Sequence, residues 1–167
     1  MKISMYGMSV GQFLPVLANL HKILDKAAAN AKTRKFETNV LVNARLAPDM
    51  FTLARQLQLT CDFAKNSSAR LAGLEAPRFE DNETTFDELQ ARIDKTVAYL
   101  KTIPAAAIDG QEERDIKIPL RDRTLEMKGL PFVQNWVLPN FYFHAVTAYN
   151  ILRHNGVDLG KQDYLGT

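Results

Sequence analysis

The residue best placed to do chemistry is His144, at the centre of residues 138–156, LPNFYFHAVTAYNILRHNG. The stretch reads as a helix that is apolar nearly all round, with the imidazole on its buried face, and such a helix must be enclosed by others. One inward histidine suits a metal ligand, a catalytic base or a hydrogen-bonded core residue. His21 stands four residues after Leu17 and three before Leu24, so periodicity turns it inward as well. Asp49 could add a carboxylate, and three such ligands with a water would make a zinc-like catalytic site. The bland alternative is that each imidazole is hydrogen-bonded within the core. His154, ten residues beyond His144, is turned away from the interior.

A second cluster is Asn43-Ala44-Arg45-Leu46-Ala47-Pro48-Asp49-Met50. It gathers an amide, a guanidinium and a carboxylate around an expected helix start, where free N–H groups and the helix dipole favour anions. Arg45 could bind a substrate carboxylate, or Arg45 and Asp49 could form a surface ion pair of little energetic weight. Asn140, with Trp136, Tyr142 and Tyr149, forms a third cluster, and aromatics at helical spacing are more often core than cofactor box. Glu80-Asp81-Asn82-Glu83 lacks the length and central glycine of a calcium loop, so it reads as a solvated, helix-capping loop. The single Cys61 excludes an internal disulfide or a Cys-rich zinc site. Its position on an apolar helix face makes it an inert, buried thiol. There is no glycine-rich phosphate cradle, nucleophile elbow or Cys-based redox motif.

These residues need elements to hold them. Val10, Phe13, Leu14, Leu17, Leu20 and Leu24 start a helical stripe running to Ala31, with Ser4 or Ser9 as a cap before it. A short turn, TNVLVNAR, precedes a second long helix in which Pro48 takes the first turn. Its stripe passes through Met50, Leu53, Leu57, Cys61, Ala64, Ser68 and Leu71 to a closing Gly73. Thr85 and Glu88 match a capping box for the third helix, which carries Phe86, Leu89, Ile93, Val97 and Leu100 and stops at Pro104. Between Asp115 and Lys128 the period becomes two, with Arg121-Asp122 at the turn, and this predicts a β-hairpin. Pro119 places its strand at an edge. The fourth helix starts near Leu130 or Pro131 and closes at Asn155-Gly156. Four long amphipathic helices predict an all-α, antiparallel four-helix bundle of up-down style, with the hairpin inserted between helices three and four.

At 167 residues and 46% hydrophobic content the chain can bury one core, so residues 1–167 read as a single domain. Lys plus Arg is 21 against 19 for Asp plus Glu, a balance too even to point to nucleic acid or a membrane surface. No apolar run is long enough to span a bilayer, and the N-terminus lacks a signal-peptide pattern, which makes the cytoplasm the expected location.

The opening SMY...V..FL..L.NL..ILDKA, the central NARLAPDMF.L.RQ, the loop FEDNETTF.EL.ARI.KT and the closing LPNFYFH..TAY.ILRHNGV together resemble the family called domain of unknown function 1993. That resemblance covers the whole chain and implies a place in the DinB-like superfamily of bacterial four-helix bundles. Many members of the superfamily hold a divalent metal through one histidine on the second helix and two, four residues apart, on the fourth. The metal commonly serves thiol-dependent transfer or isomerisation. Residues four apart share a helical face and can converge on one ion. In this chain His144 matches one fourth-helix position, but Ala148 and Asn140 stand four residues to either side and the second helix has no histidine.

The expectation is therefore a bundle without the superfamily metal and without a cofactor. It keeps a small-molecule pocket around His144, with His21, Asn43, Arg45, Asp49 and Asn140 as further lining candidates. The alternatives are a non-catalytic dimerising helical protein, or a thiol transferase-like enzyme with a rebuilt metal site. Phe143, Val146 and Tyr142 point away from the face carrying His144, which predicts a homodimer.

Overall fold

The computed structural model describes residues 3–167. Helix α1 (Met5–Met8) is one turn capped by Ser4, whose hydroxyl accepts from the Gly7 N–H at 3.0 Å. Ser9 donates its hydroxyl to the Met5 carbonyl and leaves the next helix, α2 (Val10–Arg34), without a side-chain cap. After α3 (Asn39–Val42) comes α4 (Leu53–Ala72). Pro48 does not open α4: residues 46–50 form turns and bends, and the helix begins at Thr52, whose side chain accepts from the Arg55 N–H. A hydroxyl acceptor satisfies an orphan amide, which a proline ring cannot do. Gly73 closes α4 at φ +69°, a left-handed conformation that glycine reaches without steric cost.

The capping box forms at α5 (Phe86–Thr102), with Thr85 accepting from the Glu88 N–H and the Glu88 carboxylate accepting from the Thr84 and Thr85 amides. Beyond α6 (Ala105–Ile108), β1 (Asp115–Pro119) pairs antiparallel with β2 (Thr124–Lys128), placing Ile116 opposite Met127 and Pro119 opposite Thr124. Ile116 and Ile118 are buried against the bundle, while Lys117 and Glu126 pair at 3.2 Å on the outer side. The period-two reading therefore holds in register as well as in place.

The fourth long helix is interrupted in a way periodicity does not show. It runs as α7 (Gly129–Phe132), a π-helical turn at Val133–Val137 and α8 (Leu138–His154). The Leu138 N–H reaches the Val133 carbonyl, five residues back. Pro139 supplies the cause: it has no N–H to give, and its ring crowds the carbonyl four residues before it, so the turn widens. A last helix, α9 (Lys161–Leu165), packs on α2, where Asn19 donates to the Tyr164 carbonyl.

The directions of the helices follow from their cross-contacts. Gln12 with Tyr142 and Arg34 with the Asn155 carbonyl make α2 and α8 parallel. His21 near Asp94 and Asp25 with Gln90 make α2 and α5 antiparallel. Gln56 meets His144 while Arg70 lies near Trp136, so α4 and the fourth helix are antiparallel. Gln58 with Glu83, Asp62 with Arg92, and the packing of α6 on α4 show that α4 and α5 run the same way. The bundle keeps its antiparallel pairs, but its order is up-down-down-up rather than simple alternation. Residues 73–85 make the return crossover, since a chain of that length extends to roughly 40 Å and α4, at 20 residues, needs only about 30 Å.

The core is continuous through all four long helices, and its largest members are Phe13, Phe132 and Phe141. The rings of Phe13 and Phe141 pack at 4.6 Å between centroids and lock α2 to α8. No described helix is long and apolar enough to cross a membrane. Phe141→Ala is expected to cost about 3–5 kcal/mol, the range for emptying a fully buried aromatic site. Urea unfolding at neutral pH reads this directly, and a loss under 1 kcal/mol would show that the Phe13–Phe141 contact does not organise the core.

Candidate functional site

One face of α4 presents Leu59, Asp62, Phe63, Asn66, Ser67 and Arg70 at three- and four-residue steps. That face forms the floor of a cleft of about 220 Å³ under the hairpin. Ile118 and Leu120 roof it, and Phe132 from α7 with Trp136 and Val137 from the widened stretch of the fourth helix close its side. The π turn thus supplies one wall. The lining is mainly apolar and aromatic, with a few polar groups along a single edge, as in small-molecule sites generally.

His144 lies behind the cleft rather than in it. Phe63 borders the cleft and stacks on the imidazole, with ring centroids 5.6 Å apart, and Phe143 meets the imidazole edge-on at 5.3 Å. His144 as a whole is 8% exposed. Gln56 donates its amide to the Phe51 carbonyl at 3.4 Å, which turns its oxygen toward His144. The Nδ1 of His144 therefore carries the proton and donates to Gln56 Oε1 at 2.7 Å. Nε2 is left as an acceptor with no hydrogen-bond partner among the described residues. Burial pushes the imidazole below its ordinary 6.5, and the positive charge of Arg55 adds to the shift. A neutral ring with one bare lone pair can accept a proton or a hydrogen bond.

The other expected site residues do not converge on His144. His21 is not inward: it is half-buried at the α2–α5 surface, 3.8 Å from Asp25 and 3.7 Å from Asp94, with Gln90 beside it. Residues 17 and 24 do face the core, but at position 21 the helix turns its edge toward α5. Asn43, Arg45 and Asp49 are exposed. Asn43 donates to the Asn39 carbonyl, and Arg45 lies 3.4 Å from the carbonyls of Pro48 and Met50, so its guanidinium ties a turn together. Asn140 donates to the Trp136 carbonyl at 2.7 Å and serves the helix rather than a ligand. Cys61 is buried beside Thr96, and burial raises its thiol to about 12, far from the reactive range.

Residues 80–83 are not simply solvated. Arg92, 3% exposed, donates to Asp62 at 3.0 Å, Asp81 at 2.9 Å, Glu83 at 2.9 Å and the Glu80 carbonyl at 2.9 Å. Arg55 pairs with Asp81, and Gln58 donates to Glu83. Lys65 holds Asp62 at 3.0 Å, and Lys65 and Lys95 each sit 4.2 Å from the Phe79 ring centre. Sequence reasoning passed over this network and the Gln56 contact, although both had a signal. Arg92 stands three residues after Leu89 and Gln56 one before Leu57, so both fall at or beside core-facing positions.

A family model described as Domain of unknown function (DUF1993) matches residues 5–165. The chain belongs to that family. A solved structure of a DinB family member protein from Shewanella denitrificans is similar along nearly the full length, at 44% identity and a TM-score of 0.88. The match covers 97% of this chain and 92% of that one. No curated protein matches.

The metal site that the wider superfamily implies does not fit the residues of this DUF1993 chain. The partner of His144 is a glutamine amide, Ala148 occupies the position one turn on, and His21 belongs to a different helix pair. Among the described residues no three His, Cys, Asp or Glu side chains are arranged to hold an ion.

The depressed imidazole has a thermodynamic consequence. As pH falls through about 6.5 the unfolded chain takes up the proton first, so the neutral ring's contribution is intact above 6.5 and is lost between 6.5 and the lower folded value. The His144 ring signals should titrate with a midpoint under 6.5 in NMR. The acid-side fall in urea stability should be shallower in His144→Gln, and a midpoint above 6.5 would mean that the ring is held as a cation.

Proposed function

We propose that this protein is a small-molecule-binding bundle whose ligand occupies the cleft beneath the hairpin, with no metal at the superfamily position. The observation that carries this reading is the cleft itself: an aromatic-walled space with polar groups on one edge, beside the core. A dry cavity of ~150 Å³ admits benzene, so about 220 Å³ suits one ring bearing a short substituent. Phe63 couples this space to His144, and the Gln56 amide keeps that wall and the imidazole in one orientation. A rebuilt thiol-transferase metal site is disfavoured by the donors, since one imidazole paired to an amide cannot replace several converging ligands.

Trp136 is the sole tryptophan and borders the cleft, so its emission reports occupancy. Benzyl alcohol should change that emission saturably. Asn66→Phe should abolish the response at little cost in stability, because the Asn66 side chain makes no hydrogen bond among the described residues. Metal analysis of untagged protein should find no stoichiometric zinc or nickel. One tightly held ion per chain, lost in His144→Ala, would overturn the metal-free part of the reading.

Self-association is a second reading, favoured by Phe143 at 56% and Val146 at 38% exposure on the outward side of α8. Large apolar side chains grouped on one face gain by burial between copies. Sedimentation at micromolar concentration should then show a dimer that Phe143→Glu dissociates, and a monomeric wild type would remove this reading.

A further inference from the structure

We propose that the cleft is specific for an anion, a small carboxylate with an apolar body about one ring in size, and that Arg70 receives the carboxylate. The inference rests on the cleft reading above and adds the charge of what enters. Asp62 and Arg70 both border the cleft on the same face of α4, eight residues and therefore about 12 Å apart along the axis. Their surroundings differ. The Asp62 carboxylate is already neutralised by Lys65 and Arg92, each at 3.0 Å. Arg70 is half-buried and has neither an ion pair nor a side-chain hydrogen bond among the described residues.

The two most deeply buried cations of α4 and α5, Lys65 and Arg92, both have counter-charges. Arg92 has three carboxylates and a carbonyl, and Lys65 has Asp62 and the face of Phe79. A guanidinium partly removed from water and left without a counter-charge is costly unless an anion arrives. Burial already depresses the Arg70 guanidinium from its ordinary value, the direction expected for a charge without a partner.

Arg114 reinforces the same end of the cleft. Its guanidinium lies against Gly73, three residues past Arg70, closely enough that a side chain at position 73 would collide with it. Its Nε donates to Gln111 at 2.9 Å, and it too has no ion pair among the described residues. Two positive side chains thus gather at the C-terminal end of α4, partly balanced by the helix dipole. Apart from Asn66 and Ser67 on the α4 edge the rest of the lining is apolar, and Phe63, Phe132 and Trp136 leave room for a ring. A planar fork that can take two carboxylate oxygens, with an aromatic slot beside it, selects an arylalkyl carboxylate over its neutral analogue.

The test compares 3-phenylpropionate with 3-phenylpropionamide, matched in shape and different in charge, by titrating Trp136 emission in the full chain. Wild type should bind the carboxylate roughly tenfold or more tightly than the amide, as expected of a charge-assisted pair, and added salt should narrow the gap. Arg70→Met keeps the stem and removes the charge, and it should bring the ratio close to one without weakening the amide. Arg70→Lys should keep part of the preference. Equal binding of the two probes to wild type would overturn the anion inference and leave the cleft reading standing. A preference that survives Arg70→Met would overturn the assignment to Arg70. Binding of neither probe would overturn the cleft reading and the inference with it. Circular dichroism of each variant separates a lost contact from a lost fold.

Discussion

The buried guanidinium of Arg92 constrains more of this molecule than any other single group. A charge at 3% exposure is tolerable only if anions surround it, and the chain brings three carboxylates to it from two places. Asp62 comes from α4, while Asp81 and Glu83 come from the segment that returns along the bundle. These contacts hold residues 73–85 against the two helices they pass, together with the Arg55–Asp81 pair, the Gln58–Glu83 hydrogen bond and the packing of Lys65 and Lys95 on Phe79. The return path lets α5 start at the same end as α4, and that makes the two helices parallel. The segment that sets the order of the bundle is thus the one that supplies two of the arginine's counter-ions.

The same network divides the charges of α4 between two environments. On the α5 side Asp62 is absorbed by Arg92 and Lys65. On the hairpin side Arg70 borders the cleft with no ion pair among the described residues. One helix thus has a satisfied polar seam and an unsatisfied polar edge a few residues apart. A third face, through Leu57, Cys61 and Ala64, enters the core. Cys61 lies close to the seam, yet burial keeps it protonated and the Thr96 hydroxyl occupies it, so its thiol takes part in packing rather than chemistry.

The fourth helix shows how one local defect shapes a site. Pro139 cannot complete the hydrogen-bond ladder, so the backbone widens at Val133–Val137. The widened stretch is where Trp136 and Val137 reach the cleft. At its start, Gly129 lets the chain pass close to Gln111, since a Cβ there would lie 2.1 Å from that carbonyl oxygen. The Leu130 N–H then bonds the Glu112 carbonyl at 2.9 Å. Hairpin and helix are joined tightly at this point, and the cleft is the space left between them and α4.

Legible in the residues alone were the apolar stripes, the Thr85–Glu88 box, the Gly73 stop and the alternation of Ile116 and Ile118, while the Thr52 start of α4 and the π turn were not. Each legible feature depends on neighbours within a few residues, where period and capping chemistry suffice. The sequence also marked His144 as inward, because the helix around it has almost no polar face. Tertiary structure decided which elements meet. Periodicity assigns a residue to a side of its own helix and says nothing about depth or about the identity of the neighbouring helix. His21 consequently faces α5 at the surface and not His144, and an acidic loop that reads as solvated becomes the counter-charge of a buried arginine. The cleft was invisible for the same reason: the α4 face that floors it lies about fifty residues or more before the hairpin and fourth-helix residues that close it, and only folding brings them to one place.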